Sequence, residues 1–135
     1  MKRISTYGLV LGLLMFMVWP AVAGARPVWI CSVTGGVECD ADGTVGDPEM
    51  SGLMAPTFIR VDTNKKQITL LAPQSRRGEV TVIDTVREEE DTWVLTGIEE
   101  GRAWSIVISK DGYLTVSVTY DGATWSAFGH TMLEE

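Results

Sequence analysis

The sequence predicts an all-β fold: a small antiparallel meander of about eight strands forming a closed or partly closed barrel, with a curled two-layer β-sandwich as the alternative. Three observations predict it. From Thr57 onward, apolar and polar residues alternate with the period of two that puts successive side chains on opposite faces of a sheet. Turn residues punctuate the alternation, most clearly Asp111-Gly112 and Asp121-Gly122, because Asp-Gly readily takes the positive φ angles of a tight hairpin. No stretch of this region carries the spacing of an amphipathic helix. Closing such a meander removes its sticky edges, which favours the barrel.

Each element follows from the same alternation. Val28–Val33 is the first expected strand. Thr57–Asp62 carries Ile59 and Val61 and ends in the turn Asp62-Thr63-Asn64-Lys65. Gln67–Leu71 comes next, followed by a longer loop over Ala72–Gly78. In Glu79–Glu88 the residues Val80, Val82 and Val86 share the face expected inside, with Thr81, Thr85 and Arg87 outside. After Glu89-Glu90-Asp91, Thr92–Glu99 returns with Trp93 and Leu95 on one face. Ala103–Ser109 aligns Trp104, Ile106 and Ile108, and Tyr113–Tyr120 sets Leu114, Val116 and Val118 against Thr115, Ser117 and Thr119. Thr124–His130 completes the set. Threonines on the outer face suit a solvated antiparallel sheet.

The N-terminus reads as an address. Lys2 and Arg3 precede an apolar run from Tyr7 to Trp19, and Pro20 leads into Ala21-Val22-Ala23-Gly24-Ala25. These are the n-region, h-region and small-residue cleavage site of a secretory signal peptide, with cleavage expected after Ala23 or Ala25. The run falls short of the ~20 residues that span a bilayer. Residues 1–25 are therefore expected to be removed, residues 26–56 to form an irregular segment with the first strand, and residues 57–135 to complete one domain. The chain of 135 residues carries a formal net charge of −7; without its leader, which holds Lys2 and Arg3, the charge is −9 over 110 residues. That balance argues against nucleic acid or anionic lipid as the main partner. Localisation in the periplasm or outside the cell is the matching expectation.

Cys31 and Cys39 are the only cysteines, with seven residues between them. In an exported chain the default is a disulfide, with Gly35-Gly36 reversing the chain and the bond stapling the irregular segment to the sheet. The acids Glu38, Asp40, Asp42, Asp47 and Glu49 begin like a calcium loop, but Val45 stands where the turning glycine is required and Ser51 where the closing glutamate is. A solvated acidic loop is the expectation, with no metal and no cofactor.

Other candidates are weighed by their chemistry. Arg76 and Arg77 form a basic spot in the 72–78 loop of an acidic chain and are candidates for contacting a partner. His130 is the single histidine, at the end of the last strand, and no catalytic signature accompanies it. Asp84 falls on the face of Val80, Val82 and Val86; if buried it requires a partner such as Arg60 or Arg102, unless a bulge at Ile83 turns it outward. Trp29, Trp93, Trp104 and Trp125 are core residues or the lining of a cavity for an apolar or sugar ligand.

The segment Ser109-Lys110-Asp111-Gly112-Tyr113 resembles the Ser-Gly-x-x-Tyr loop of membrane-bound c-type lysozyme inhibitors, which are small exported barrels. Ser109 and Tyr113 are the matching ends, the glycine is displaced to Gly112, and the likeness covers five residues that Asp-Gly already explains as a turn. It implies a type of job, holding a protein partner, without assigning membership. The sequence expectation is thus a small exported, non-catalytic binding module of the bacterial cell envelope that holds or inhibits a protein partner through barrel-end loops. The alternative is a carrier of a small ligand within a Trp-lined interior.

Overall fold

The computed structural model describes residues 24–47 and 57–135. The signal-peptide expectation falls largely on residues 1–23, outside the described residues, as do Glu49 and Ser51 of the acidic segment. The described chain is nearly all strand, a single sheet curled into a half-barrel. Its strands are β1 (Val28–Cys39), β2 (Val45–Gly46), β3 (Thr57–Asp62), β4 (Gln67–Ala72), β5 (Val80–Val82), β6 (Thr85–Glu89), β7 (Thr92–Glu99), β8 (Arg102–Ser109), β9 (Tyr113–Tyr120) and β10 (Ala123–Leu133). The order across the sheet is β5-β4-β3-β1-β10-β9-β8-β7-β6, with β2 pairing the far end of β1. Every pairing is antiparallel.

The two margins of this sheet, β5 and β6, are consecutive pieces of one chain segment separated only by Ile83 and Asp84. The Ile83 N–H donates to the Lys66 carbonyl across one margin, and the Asp84 N–H donates to the Thr96 carbonyl across the other. The segment thus passes from one edge of the sheet to the other and closes part of the barrel. The handover shifts the alternation by one residue. Thr81 and Ile83 point inward before it and Val86 after it, so Val80 and Val82 are exposed while Ile83 is buried. The expected buried face of Val80 and Val82 is therefore corrected. Asp84 is exposed and does not meet Arg102 or Arg60; its carboxylate accepts the Ile98 N–H at 3.0 Å. The break at Ile83 satisfies a chain that must pair with two different strands.

A second correction concerns the cysteines. Both lie on β1, which runs unbroken through Gly35-Gly36 where a reversal was expected. Eight residues of extended strand separate them by about 26 Å, far beyond the ~7 Å Cα limit for a disulfide. Both thiols are free. Cys31 is fully buried, and loss of solvation pushes its thiol pKa up to about 12. Iodoacetamide applied to the native protein should modify half-exposed Cys39 and spare Cys31, with both modified after denaturation. A mass two daltons lower and no alkylation would show the bond instead.

Three two-residue turns show how the hairpins close. Glu100-Gly101 and Asp121-Gly122 have positive φ at both positions, the type I′ geometry that matches strand twist. In the 110–112 turn only Gly112 is left-handed, and the Gly112 N–H returns to the Ser109 carbonyl. At Glu90-Asp91 the left-handed residue is Glu90. The β3–β4 turn is held by the buried Asp62, which accepts the N–H groups of Asn64 and Lys65 and pairs with Arg60 at 3.1 Å. Arg60 also reaches Glu134 beyond the last strand.

The Lys65 N–H, with help from Arg60, holds the Asp62 carboxyl below its ordinary pKa. A carboxylate lowered in the folded state stabilises above its unfolded pKa and loses that contribution as pH falls through the folded value. Melting temperature should therefore decline from about pH 5 downward. Asp62→Ala should cost about 1–2 kcal/mol at neutral pH and flatten this decline, which thermal melts across pH would check.

Candidate functional site

The interior is built in layers that cross the sheet, because inward residues on neighbouring strands stand beside each other. One layer packs Trp93, Ile108 and Leu114. Trp29 meets Trp93 edge-to-face with ring centroids 5.3 Å apart. The next layer is Leu95, Ile106, Val116 and Ala127. Beyond it come Gly97, Trp104, Val118, Trp125 and Glu38 in direct register over β7, β8, β9, β10 and β1. Here the packing ends. A cleft of about 820 Å³ opens, floored by Trp104, Val118, Trp125 and Ile106 and walled on the far side by Val33, Ile59, Ile68 and Leu70. The expected ligand-lining tryptophans therefore divide: Trp104 and Trp125 line the cleft, whereas Trp29 and Trp93 belong to the packed end.

The mouth is polar. Arg102 lies over the Tyr120 ring at 5.6 Å, and the Tyr120 hydroxyl donates to Glu38. That carboxylate raises the Tyr120 phenol above its ordinary pKa. Arg76 comes from the 3₁₀ turn Gln74–Arg76 and is clasped by Glu79 at 2.5 Å. The pair raises the Arg76 guanidinium pKa and lowers that of the Glu79 carboxyl. Glu99 accepts the Thr81 hydroxyl at 3.0 Å, joining β7 to β5 across the seam beside the mouth. Glu38, Glu79, Glu99 and Glu100 outnumber Arg76 and Arg102 around the opening.

The floor holds an unusual pair of atoms. The indole nitrogens of Trp104 and Trp125 are both buried, and neither has a hydrogen-bond partner among the described residues. Trp residues are 9% and 2% exposed here, and buried indole N–H groups ordinarily find an acceptor.

Of the remaining sequence candidates, Arg102 joins the mouth and Arg76 turns into it, while Arg77 stays exposed on the same loop. Ser109 and Tyr113 lie at the opposite end. The Ser109 hydroxyl is engaged by the Tyr113 N–H at 3.1 Å, and the Tyr113 ring is exposed, 5.5 Å from the ring of His130. His130 is exposed and away from the cleft. Around Asp40–Thr44 the acids shape a turn, with Asp42 accepting the Thr44 N–H. Among the described residues no group of three or more His, Cys, Asp or Glu side chains is placed to hold a metal ion.

Sequence reasoning missed Tyr120, Glu99 and Thr81, and it placed Glu38 in a solvated acidic loop, whereas Glu38 lies on β1 and accepts the Tyr120 hydroxyl. Tyr120 had a usable signal, since it continues the inward series Leu114, Val116, Val118. Thr81 did not, because its inward orientation depends on the shift at Ile83. Comparison with known proteins finds no matching family model, no matching curated protein and no matching solved structure.

Proposed function

We propose that this chain is a non-catalytic binding module that holds a small, largely apolar ligand in the open end of its half-barrel. The observation that carries this reading is the cleft itself. An interior of about 820 Å³ above the Trp104–Trp125 floor is within the range of small-molecule sites, and a well-packed small barrel leaves no such space. The reading draws on the alternative in the sequence analysis rather than on capture of a protein partner. Arg76, one of the residues expected to contact a partner, lines the mouth and is paired with Glu79, and the Ser109 hydroxyl accepts the Tyr113 N–H within its own turn. Export to the periplasm or beyond remains part of the proposal and rests on the sequence of residues 1–25 alone.

The test uses a neutral environment-sensitive fluorophore, N-phenyl-1-naphthylamine. Saturable uptake of one probe per chain is expected, with affinity at least tenfold weaker in Val118→Trp, whose added ring fills the floor. Absence of saturable uptake, or unchanged affinity in Val118→Trp, would overturn the reading.

A further inference from the structure

We propose that the cleft takes an amphiphilic organic cation, with its apolar body between floor and wall and its ammonium group at the acidic mouth; this rests on the ligand-binding reading above. The walls of Val33, Ile59, Ile68 and Leu70 are apolar, and all the charge of the lining stands at the mouth. There the carboxylates of Glu38, Glu79, Glu99 and Glu100 face two guanidinium groups, those of Arg76 and Arg102. Arg76 is bound by Glu79 at 2.5 Å, and Arg102 lies over the Tyr120 ring. Glu99 accepts the Thr81 hydroxyl, and neither Glu99 nor Glu100 forms a salt bridge among the described residues. The mouth therefore carries two carboxylates in excess, beside apolar walls that a hydrocarbon chain can fill.

Two titratable groups at the mouth register the sign of this field. The Arg76 guanidinium is held above its ordinary pKa, first by its hydrogen bond to Glu79 and then by the charges of Glu79 and Glu99. The Tyr120 phenol is raised too, first by its hydrogen bond to Glu38, then by lost solvation and the charges of Glu38 and Asp40, with Arg102 opposing. A positive charge is thus stabilised here and a new negative one opposed. A carboxylate head would join four others, and a neutral head would gain nothing from the excess charge. A bare metal ion fits poorly, because among the described residues no three acidic side chains converge to hold one. An apolar body with a single cationic end satisfies the walls and the mouth together.

Octylammonium, octanol and octanoate share one chain length and differ in the charge of the head, and calorimetric titration of each into the full chain separates the possibilities. At low salt and about pH 7, octylammonium is expected to bind about tenfold tighter than octanol, with octanoate weakest. Added salt should narrow the gap. Glu99→Gln combined with Glu100→Gln removes two charges and keeps an acceptor for Thr81; it should weaken octylammonium about fivefold and leave octanol within about twofold. Glu88→Gln combined with Glu89→Gln makes the same change of net charge away from the cleft lining, and should leave both affinities within about twofold. If a variant does not fold, the ranking of the three probes and its salt dependence in the unsubstituted chain decide. Equal affinity for octylammonium and octanol, or tightest binding of octanoate, would overturn this inference while leaving the cleft reading intact. So would a cation preference that survives the Glu99 and Glu100 substitutions, or that falls equally in the Glu88 and Glu89 variant. Binding of the fluorophore but of none of the three would overturn this inference alone; failure of all four would remove both.

Discussion

Gly129→Ala should abolish the native fold or lower the melting temperature by well over 10 °C. Gly129 lies on β10 opposite Val33 of β1, at the register shift where Thr34 is the extra residue between the partners Val33 and Gly35. The bulge presses the β1 backbone onto β10. A Cβ at Gly129 would overlap the Ser32 carbonyl oxygen, with the carbonyl carbon at 2.8 Å and the Val33 Cα at 3.1 Å. All three are backbone atoms in the middle of the sheet, so no side-chain rotation relieves the clash. The strands must separate or lose their register, at a cost of about 4 kcal/mol or more against a total stability of about 5–15 kcal/mol. At about 4–8 °C per kcal/mol, thermal melts would register this plainly. Gly35→Ala is the control: it sits beside the same bulge, and a Cβ there meets nothing within 4 Å. A melting temperature within a few degrees of the parent for Gly129→Ala would show that β1 and β10 are not in this register.

Gly97→Val should close the cleft to the proposed ligand at a smaller structural cost. Gly97 is the direct neighbour of Trp104 on the floor, and a Cβ there would stand 2.5 Å from Cε2 and 2.9 Å from Nε1 of the indole. The missing side chain is what allows the ring to lie against β7. Adding one pushes the indole off β7, and among the described residues the cleft it lines offers it room. The overpacking should cost about 1–3 kcal/mol, and affinity for a neutral apolar probe should fall by more than tenfold. A calorimetric or fluorescence titration giving parental affinity would show that Trp104 does not set the floor.

Much of this architecture was legible in sequence. The boundaries of Thr57–Asp62, Thr92–Glu99 and Tyr113–Tyr120 follow from alternation alone, and the inward faces of β7, β8 and β9 follow from Trp93, Leu95, Trp104, Ile106, Ile108, Leu114 and Val116. What escaped is long-range. Pairing of β1 with both β3 and β10 leaves no mark in local spacing, so alternation alone ends the strand at Val33 and makes its glycines look like a reversal. The same ignorance made a disulfide of Cys31 and Cys39. The shift at Ile83 was foreseen only as an alternative, because a chain changing partners and a chain bulging outward look alike in sequence. The cleft was half visible: Trp104 and Trp125 stood out, but the layer at which packing stops depends on how far the sheet curls.

The position of β1 also governs assembly. Its neighbours in the sheet are β3, about thirty residues on, and β10, about a hundred residues on. The hairpins from β6 to β10 can zip locally, each across a short turn. The β1–β10 ladder must instead wait until nearly the whole chain is available. Loop-closure entropy rises slowly with length, but distant pairing slows folding. Vectorial emergence of this chain would therefore leave one side of β1 unpaired until β10 arrives, and a truncation within β10 would expose an edge of the first strand as well as shorten the last.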